Sequence, residues 1–235
     1  IPYPYYSIYG RHVIDTWFLA QYYSLVNREL RRNGLKDVAR HFGVAAPQRT
    51  YIPGDQASWY FDHDPETLFH YALDDVRETR EISAVLSPNY FVQAQIFPYS
   101  FQDTALTNEP TKIDRLMLRE YSAQGHSIPS PLAAAPVAEK YATLEVEGVS
   151  RPVLHCDVTS LHAAVMLDLD CRPETDDLGI FSALLGGVRD LWERGGQCDN
   201  ASLIGDDNRI VGTIRSGLKV LMDSFHDYLV CATGH

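Results

Sequence analysis

The 235-residue sequence predicts a mixed α/β fold, and three observations support this prediction. Apolar residues recur at helical spacing in several long segments that have typical capping residues at their ends. Segment 141–149, YATLEVEGV, alternates apolar and polar residues as a half-buried strand does. Segment 151–158, RPVLHCDV, has the length and the largely apolar character of a buried strand. With 45% hydrophobic and 22% charged residues, the chain can bury a substantial core.

The N-terminal half contains three predicted helices with clear ends. After a short strand, the first helix starts near Asp15, which can cap it. The second covers 35–42 and stops at Gly43. The third starts with Asp64 as its cap and Pro65 at its first position. We expect the third helix to bury four apolar side chains: Leu68, Ala72, Val76 and Leu86.

The C-terminal half follows the same logic. Segment 111–125 predicts an amphipathic helix that is closed by Gly125. The Pro- and Ala-rich segment 126–140 is typical of a linker. Two further helices are predicted at 176–193 and 213–229. They are joined by a turn-rich segment, in which we place Asp206 and Asp207. The side chains expected to be buried in the helix of segment 111–125 are Ile113, Leu116, Met117 and Tyr121.

Charge and cysteine content narrow the possible functions. The net charge of −11 opposes autonomous, non-specific nucleic-acid binding, which depends on exposed Lys and Arg. It does not exclude a metal-assisted phosphate enzyme, since cations neutralise phosphate in such sites. There is no run of about 18 apolar residues, so no membrane span is predicted. The cysteines have no CxxC spacing, which indicates a reduced, cytoplasmic protein without zinc. They are Cys156, Cys171, Cys198 and Cys231.

A carboxylate ends the predicted strand at 151–158. Asp157 closes this apolar run, and a small polar turn leads from it into a second apolar run. A buried charge is costly unless something pairs with it. Asp157 therefore either caps the following helix or holds a cation, and the residues around it do not decide between these roles.

Four segments resemble motifs of family B DNA polymerases, in the same order along the chain. DVTSLHAAVM, 157–166, resembles the first palm motif, and KVLMDSFHDYL, 219–229, resembles the second. YALDD, 71–75, fits the third exonuclease motif, Tyr-x-x-x-Asp. Segment 112–129 resembles the helix that joins exonuclease and palm. The chain as a whole resembles an internal piece of a bacterial-type family B DNA polymerase.

This resemblance implies a more detailed fold and a function. Residues 1–88 would be the C-terminal part of a ribonuclease H-like 3′–5′ exonuclease domain, and 89–150 a connecting segment. Residues 151–235 would be part of an α+β palm with two finger helices. The parent protein would carry out template-directed nucleotidyl transfer with two Mg²⁺ ions, together with proofreading. Its partners would be a DNA primer-template and deoxynucleoside triphosphates.

The resemblance also assigns roles to residues. Asp157 would bind Mg²⁺, with the carbonyl of Val158 close to the metal, and hard oxygen ligands of this kind suit magnesium. In the exonuclease motif Asp75 would bind metal, and Tyr71 would orient the attacking water. The plainer alternative for that pair is a core Tyr beside a surface Asp. The residues that would face the incoming nucleotide are Val158, Ser160, Leu161, His162, Lys219 and Asp223.

The palm motifs depart from the family pattern at several positions. Tyr has become His162, Asn has become Asp223, Tyr has become His226 and Gly has become Asp227. The sequence also contains no Asp-Thr-Asp, the third palm motif, and lacks the first two exonuclease motifs. We therefore expect the isolated chain to be catalytically incomplete. Two alternatives stay open: a non-catalytic polymerase relative acting as a scaffold or DNA-contacting subunit, and an unrelated acidic metal hydrolase using Asp157.

Overall fold

The computed structural model describes residues 5–130, 143, 147–149, 151–152, 154, 160–197 and 206–230. Within these ranges the secondary structure is helical, and β-pairing is limited to an isolated bridge between Ile8 and Arg11. The α/β prediction, with a ribonuclease H-like sheet followed by an α+β palm, is therefore wrong, because the described chain is mainly helical. The short strand expected before Asp15 is represented only by the bridge between Ile8 and Arg11, and a helix starts at Thr16. Of the strands predicted at 141–149 and 151–158, only residues 143, 147–149, 151–152 and 154 are described, and the remaining residues lie outside the described ranges.

The described residues contain nine α-helices and a 3₁₀ turn at Gly54–Gln56. None of these helices is both long enough and apolar enough to cross a membrane. The helices are α1 (Thr16–Asn27), α2 (Leu35–His41), α3 (Ala57–His63), α4 (Pro65–Ile96), α5 (Phe101–Leu106), α6 (Glu109–Ala123), α7 (Leu161–Asp168), α8 (Ile180–Gln197) and α9 (Asp206–Val230).

The chain divides into two compact units. Unit 1 comprises 1–106 and 199–217, and unit 2 comprises 107–198 and 218–235. Helix α9 therefore contributes its first part to unit 1 and its second part to unit 2. The sequence-based boundary at 88 falls inside α4, and the boundary at 150 falls on a residue that is not described.

The predicted helix starts in unit 1 are confirmed by their caps. Asp15 accepts a hydrogen bond from the N–H of Trp17 at 2.9 Å, and α1 begins at the next residue. Asp64 accepts from the N–H of Thr67 at 3.2 Å, at the start of α4. Helix α2 is followed by Gly43 with φ of 66°, the left-handed conformation that glycine adopts without steric cost.

Helix α4 is the longest element of unit 1, and its buried face differs from the prediction. Leu86 is buried, but Leu68 is half-buried, Ala72 is exposed and Val76 is 65% exposed. The apolar spacing extends over the whole helix, whereas neighbouring helices cover mainly its second half. The core that covers this half comprises Leu19, Ala20, Val38, Ala39, Phe42, Ile82, Val85, Leu86 and Tyr90.

The first part of α9 packs closely on α4 within unit 1. Thr213 Oγ1 donates a hydrogen bond to the carbonyl of Val85 at 3.1 Å. A Cβ atom added to Gly217 would overlap the side-chain amide of Asn89, so a larger residue at this position would have to displace that side chain. The turn assigned to Asp206 and Asp207 is wrong, because α9 begins at Asp206. Asp and Asn are common both in turns and at helix starts, so composition alone did not separate the two.

Unit 2 is organised around α6 and α8. The four apolar side chains expected inside α6 are all buried, which confirms that prediction. Asp176, itself buried, joins the two helices: it accepts from the Tyr121 hydroxyl at 2.8 Å. Its two oxygens also accept from the backbone N–H groups of Ile180 and Phe181, at 3.1 and 2.8 Å. These N–H groups have no partner inside the helix, so Asp176 fixes where α8 begins.

Candidate functional site

The start of α7 carries three of the predicted nucleotide-binding residues. Ser160 precedes the helix in a left-handed conformation, with φ of 53° and ψ of 46°. Its hydroxyl oxygen is buried and has no hydrogen-bond partner among the described residues. Leu161 is 50% exposed, and His162 is also exposed. The two predicted metal-binding residues of this motif, Asp157 and Val158, lie outside the described residues.

His162 stacks on a second imidazole. Its ring lies face to face with that of His226 on α9, with centroids 4.4 Å apart and an interplanar angle of 20°. The neighbouring aromatic residues of α9 pack elsewhere: Phe225 and Tyr228 both contact Phe181, with centroids at 5.1 and 5.9 Å. His162 is therefore supported by another histidine, at the rim of the aromatic core of unit 2.

Further predicted residues lie beside this histidine pair. Lys219, Asp223 and His226 share one face of α9, since they are four and three residues apart. Burial is the main factor that raises the pKa of Asp223; Asp227 also raises it, while Lys219 and His162 act in the opposite direction. The exposed Asp227 has its Oδ1 3.6 Å from Nδ1 of His226. The structure thus brings together His162, Lys219 and Asp223, and surrounds them with mixed charge.

This arrangement has one feature that favours an anionic ligand and one that opposes it. The first backbone N–H groups of α7 have no acceptor within the helix, and they form a positive end that suits phosphate. Lys219 is exposed and adds a positive charge on the α9 face. Asp223 and Asp227 repel a polyanion, by about 1–4 kcal/mol each at a few Å, depending on solvent.

The predicted exonuclease pair lies in unit 1. Tyr71 and Asp75 are both on α4, four residues apart, as the sequence predicted. Asp75 Oδ1 forms an ion pair with Nη2 of Arg49, and Glu78 Oε1 lies 2.6 Å from Nε of the same guanidinium. The side chains of Arg49 and Glu78 are only 1% and 3% exposed. Burial acts to lower the pKa of Arg49, but hydrogen bonds and charge from Glu78 and Asp75 outweigh it, so the pKa is raised.

Two tyrosine rings lie against the same guanidinium. The Arg49 guanidinium carbon lies 4.9 Å from the centroid of Tyr51 and 5.6 Å from that of Tyr71. Lys36 Nζ approaches the same two rings, at 5.4 and 4.8 Å. Asp74 accepts from the N–H of Thr50 at 3.0 Å and ties the loop to α4. Tyr71 and Asp75 are therefore members of a cation–aromatic cluster, and not only neighbours on a helix.

The fit of these residues to Mg²⁺ differs between the two units. Within the described part of the chain, no group of three or more His, Cys, Asp or Glu side chains is arranged to hold a metal ion. In unit 1 one carboxylate oxygen of Asp75 and one of Glu78 contact the Arg49 guanidinium, so these two oxygens do not fit magnesium; Glu78 Oε2 is buried without a hydrogen-bond partner among the described residues. For the palm motif the decisive residue, Asp157, is not described.

Three contributors were not assigned a role from the sequence. Glu78 lies one turn beyond Asp75, so its position on the same helix face was available from the spacing. Arg49 lies 29 residues before Glu78, and no local pattern connects the two. The stacking of His226 on His162 joins residues of two different helices, which the sequence does not place side by side.

Comparison with known proteins gives a result for structure only. No family model matches the sequence, and no curated protein matches it. A solved structure does match, that of the family B DNA polymerase from the hyperthermophilic archaeon Pyrobaculum calidifontis, with a TM-score of 0.67 and 19% identity. The match covers 97% of this chain and 34% of the polymerase chain, so the protein spans about a third of that polymerase's length. The chain therefore has a fold similar to that of part of a family B DNA polymerase.

Proposed function

We propose that the chain is part of a family B DNA-directed DNA polymerase that carries out template-directed nucleotidyl transfer. The observation that carries this proposal is the fold similarity over 97% of the chain. The order of the four motif-like segments along the sequence also supports it. The assignment to the bacterial type belongs to the same proposal and rests on the sequence resemblance; the solved neighbour is archaeal.

In this proposal the start of α7 and the exposed face of α9 bind the nucleotide. Lys219 supplies a point charge for the triphosphate, and the N–H groups at Ser160 and Leu161, which have no acceptor within α7, supply donors. In this proposal His162 lies next to the sugar of the nucleotide, and Asp223 lies beside His162. Asp157 and the Val158 carbonyl hold magnesium, whose two ions stabilise the attacking and leaving oxygens of an in-line displacement when bound.

We further propose that the isolated chain does not catalyse incorporation. The family's reaction needs a second acidic metal ligand from the third palm motif, and the 235 residues do not contain that motif. Asp223 and Asp227 add repulsion toward a polyanion in place of the family's neutral side chains. The parent protein would bind a DNA primer-template and deoxynucleoside triphosphates through the complete site.

Nucleotide binding by the purified chain is the direct test, followed with a fluorescent deoxyadenosine triphosphate and Mg²⁺. Lys219→Ala should weaken binding by about tenfold or more, the scale of one lost charge-assisted hydrogen bond. Arg80→Ala is the matched control, since Arg80 is an exposed cation of unit 1. Equal affinity of Lys219→Ala and the unmodified chain would contradict the nucleotide role of α9.

The alternative of a non-catalytic polymerase relative is favoured by the histidine pair. His162 and His226 stack at motif positions where the family has tyrosines, and Asp223 and Asp227 replace neutral residues. Fusion of the chain to an Asp-Thr-Asp palm segment separates the two functions. Primer extension that is lost on Asp157→Ala supports the polymerase; primer-template binding without extension supports the non-catalytic relative.

A further inference from the structure

We propose that Arg49 is the resident cation of the acidic cluster on α4, formed by Asp74, Asp75 and Glu78. In this proposal the cluster takes no divalent metal, and Tyr71 and Asp75 have a structural role in unit 1. The inference rests on the geometry of unit 1 alone and is independent of the proposed nucleotide site.

The contacts of Arg49 carry the first step. Its Nε and Nη2 contact two carboxylates on consecutive turns of α4, those of Glu78 and Asp75. Its Nη1 also donates to the carbonyl of Thr50 at 3.0 Å. A planar guanidinium has its N–H donors in a fixed geometry, and here its three nitrogens bind Glu78, Asp75 and the Thr50 carbonyl. The guanidinium therefore lies where a metal bound by both carboxylates would have to lie.

Burial carries the second step. The Arg49 side chain is 1% exposed, so a metal ion could enter only if the guanidinium left a closed position. Such a departure would leave Glu78, itself 3% exposed, without its cation during the exchange. Mg²⁺ also keeps several of its waters and requires near-ideal octahedral geometry, and both need open space.

The remaining members of the cluster are also engaged. Asp74 accepts from the Thr50 N–H at 3.0 Å and lies 3.7 Å from Nη1 of Arg77. The Tyr71 ring faces two cations, Arg49 and Lys36, within 6 Å, the range of cation–π attraction. Tyr71 thus contributes to holding the cations in place. The oxygens of Asp75 and Glu78 that face Arg49 are therefore not open to a metal for cleavage of a DNA end, and the remaining Glu78 Oε2 is buried without a hydrogen-bond partner among the described residues.

Manganese binding measured by electron paramagnetic resonance tests the proposal. The full chain is used in an Asp157→Asn background, so that the predicted palm ligand does not contribute. We expect no site that is removed by Asp75→Asn and has a Kd below about 1 mM. A site of that affinity which disappears in Asp75→Asn would overturn the proposal.

Variants of Arg49 provide the second measurement. In the same background, Arg49→Gln should bind Mn²⁺ about tenfold or more tightly than the chain that keeps Arg49, because the carboxylates of Asp75 and Glu78 lose their resident cation. Arg49→Lys keeps a positive charge and should bind no more Mn²⁺ than the parent chain. Arg40→Gln is the matched control, since Arg40 is an exposed arginine whose partner, Asp37, is on its own helix. Unchanged Mn²⁺ affinity in folded Arg49→Gln would show that Arg49 does not occupy a cation site. If Arg49→Gln does not fold, the comparison of Mn²⁺ binding between the parent chain and Asp75→Asn still tests the proposal.

Discussion

The acidic cluster of unit 1 and the histidine pair of unit 2 treat their charges in opposite ways. In unit 1, Asp75 and Glu78 surround a buried guanidinium, so negative charge faces a fixed positive partner. In unit 2, the His162 and His226 rings lie near the surface, with Asp223 and the exposed Asp227 beside them. Both the acidic cluster and the histidine pair contain residues that match polymerase motifs. Burial determines whether a carboxylate there pairs with a cation of the protein or remains available to a ligand.

The energetic consequences differ accordingly. Removing one partner of a buried ion pair leaves an uncompensated charge, which costs about 3–5 kcal/mol. Charged groups that are partly exposed interact in a high dielectric and contribute about 0–1 kcal/mol each. We therefore expect substitutions in unit 1 to affect stability strongly, and substitutions in the unit 2 site to affect mainly ligand binding.

The largest effect is expected for Arg49→Met. The substitution keeps much of the apolar stem but leaves Asp75 and Glu78 without the guanidinium. We expect a loss of about 3–5 kcal/mol in the free energy of unfolding, measured by urea denaturation and circular dichroism. Arg40→Met, at an exposed pair on α2, should change stability by less than about 1 kcal/mol. Equal effects of the two substitutions would contradict the contrast between buried and exposed charges.

The sequence predicted local features of unit 1 far better than its fold class. The caps Asp15 and Asp64 were readable because a cap depends on residues within one turn. The buried face of α4 was misjudged at Val76, because helical periodicity shows which residues share a face but not what covers that face. The ion pair of Arg49 with Glu78 joins residues 29 positions apart, and such a contact has no local signature.

The same limits apply to the candidate site of unit 2. The sequence predicted a helix at 213–229, and helical periodicity places Lys219, Asp223 and His226 on one face of such a helix. The stacking of His162 on His226 depends on how α7 meets α9, which no single segment encodes. The α/β class is wrong because the described residues are mainly helical, and an alternating or apolar run does not by itself show whether a segment pairs with another strand.

A second substitution sharpens the comparison by testing a buried carboxylate whose hydrogen-bond donors among the described residues are uncharged. Asp176 is satisfied by a hydroxyl and two backbone N–H groups, so Asp176→Ala removes a helix cap and the acceptor of Tyr121. We expect a loss of about 2–3 kcal/mol in unfolding free energy, smaller than that for Arg49→Met. The neighbouring Asp177→Ala, at an exposed position, should have an effect within about 0.5 kcal/mol. A loss for Asp176→Ala above that for Arg49→Met would reverse the expected order.

The third substitution concerns sugar selectivity in the proposed parent polymerase, tested in the chain completed with the third palm motif. His162 has a smaller and more polar ring than the tyrosine of the family, and it can donate a hydrogen bond to a 2′-hydroxyl. We therefore expect weaker rejection of ribonucleotides, and His162→Tyr should raise the deoxy-to-ribo ratio of kcat/KM by about tenfold, or 1.4 kcal/mol. Because His226 supports the ring at 4.4 Å, His226→Ala should lower that ratio. A ratio unchanged by both substitutions would remove position 162 from the sugar site.

The smallest effect is expected for Asp223→Asn, which tests whether the unit 2 site contains unfavourable charge. Burial is the main cause of the raised pKa of Asp223, so the folded protein disfavours the ionised carboxylate. A folded-state pKa above the unfolded value gives a contribution to stability that is present below the unfolded pKa and is lost as pH rises through the folded pKa.

At about pH 7 the asparagine variant should therefore be more stable, by up to about 1 kcal/mol given the partial exposure of the site. The gain should shrink as pH falls through the raised pKa of Asp223, because the aspartate then becomes protonated. Urea denaturation above and below that pKa measures this, with Asp190→Asn on the exposed side of α8 as the matched control. A gain that grows on acidification would mean that ionised Asp223 is stabilised by Lys219 and His162 more than it is penalised by burial and Asp227.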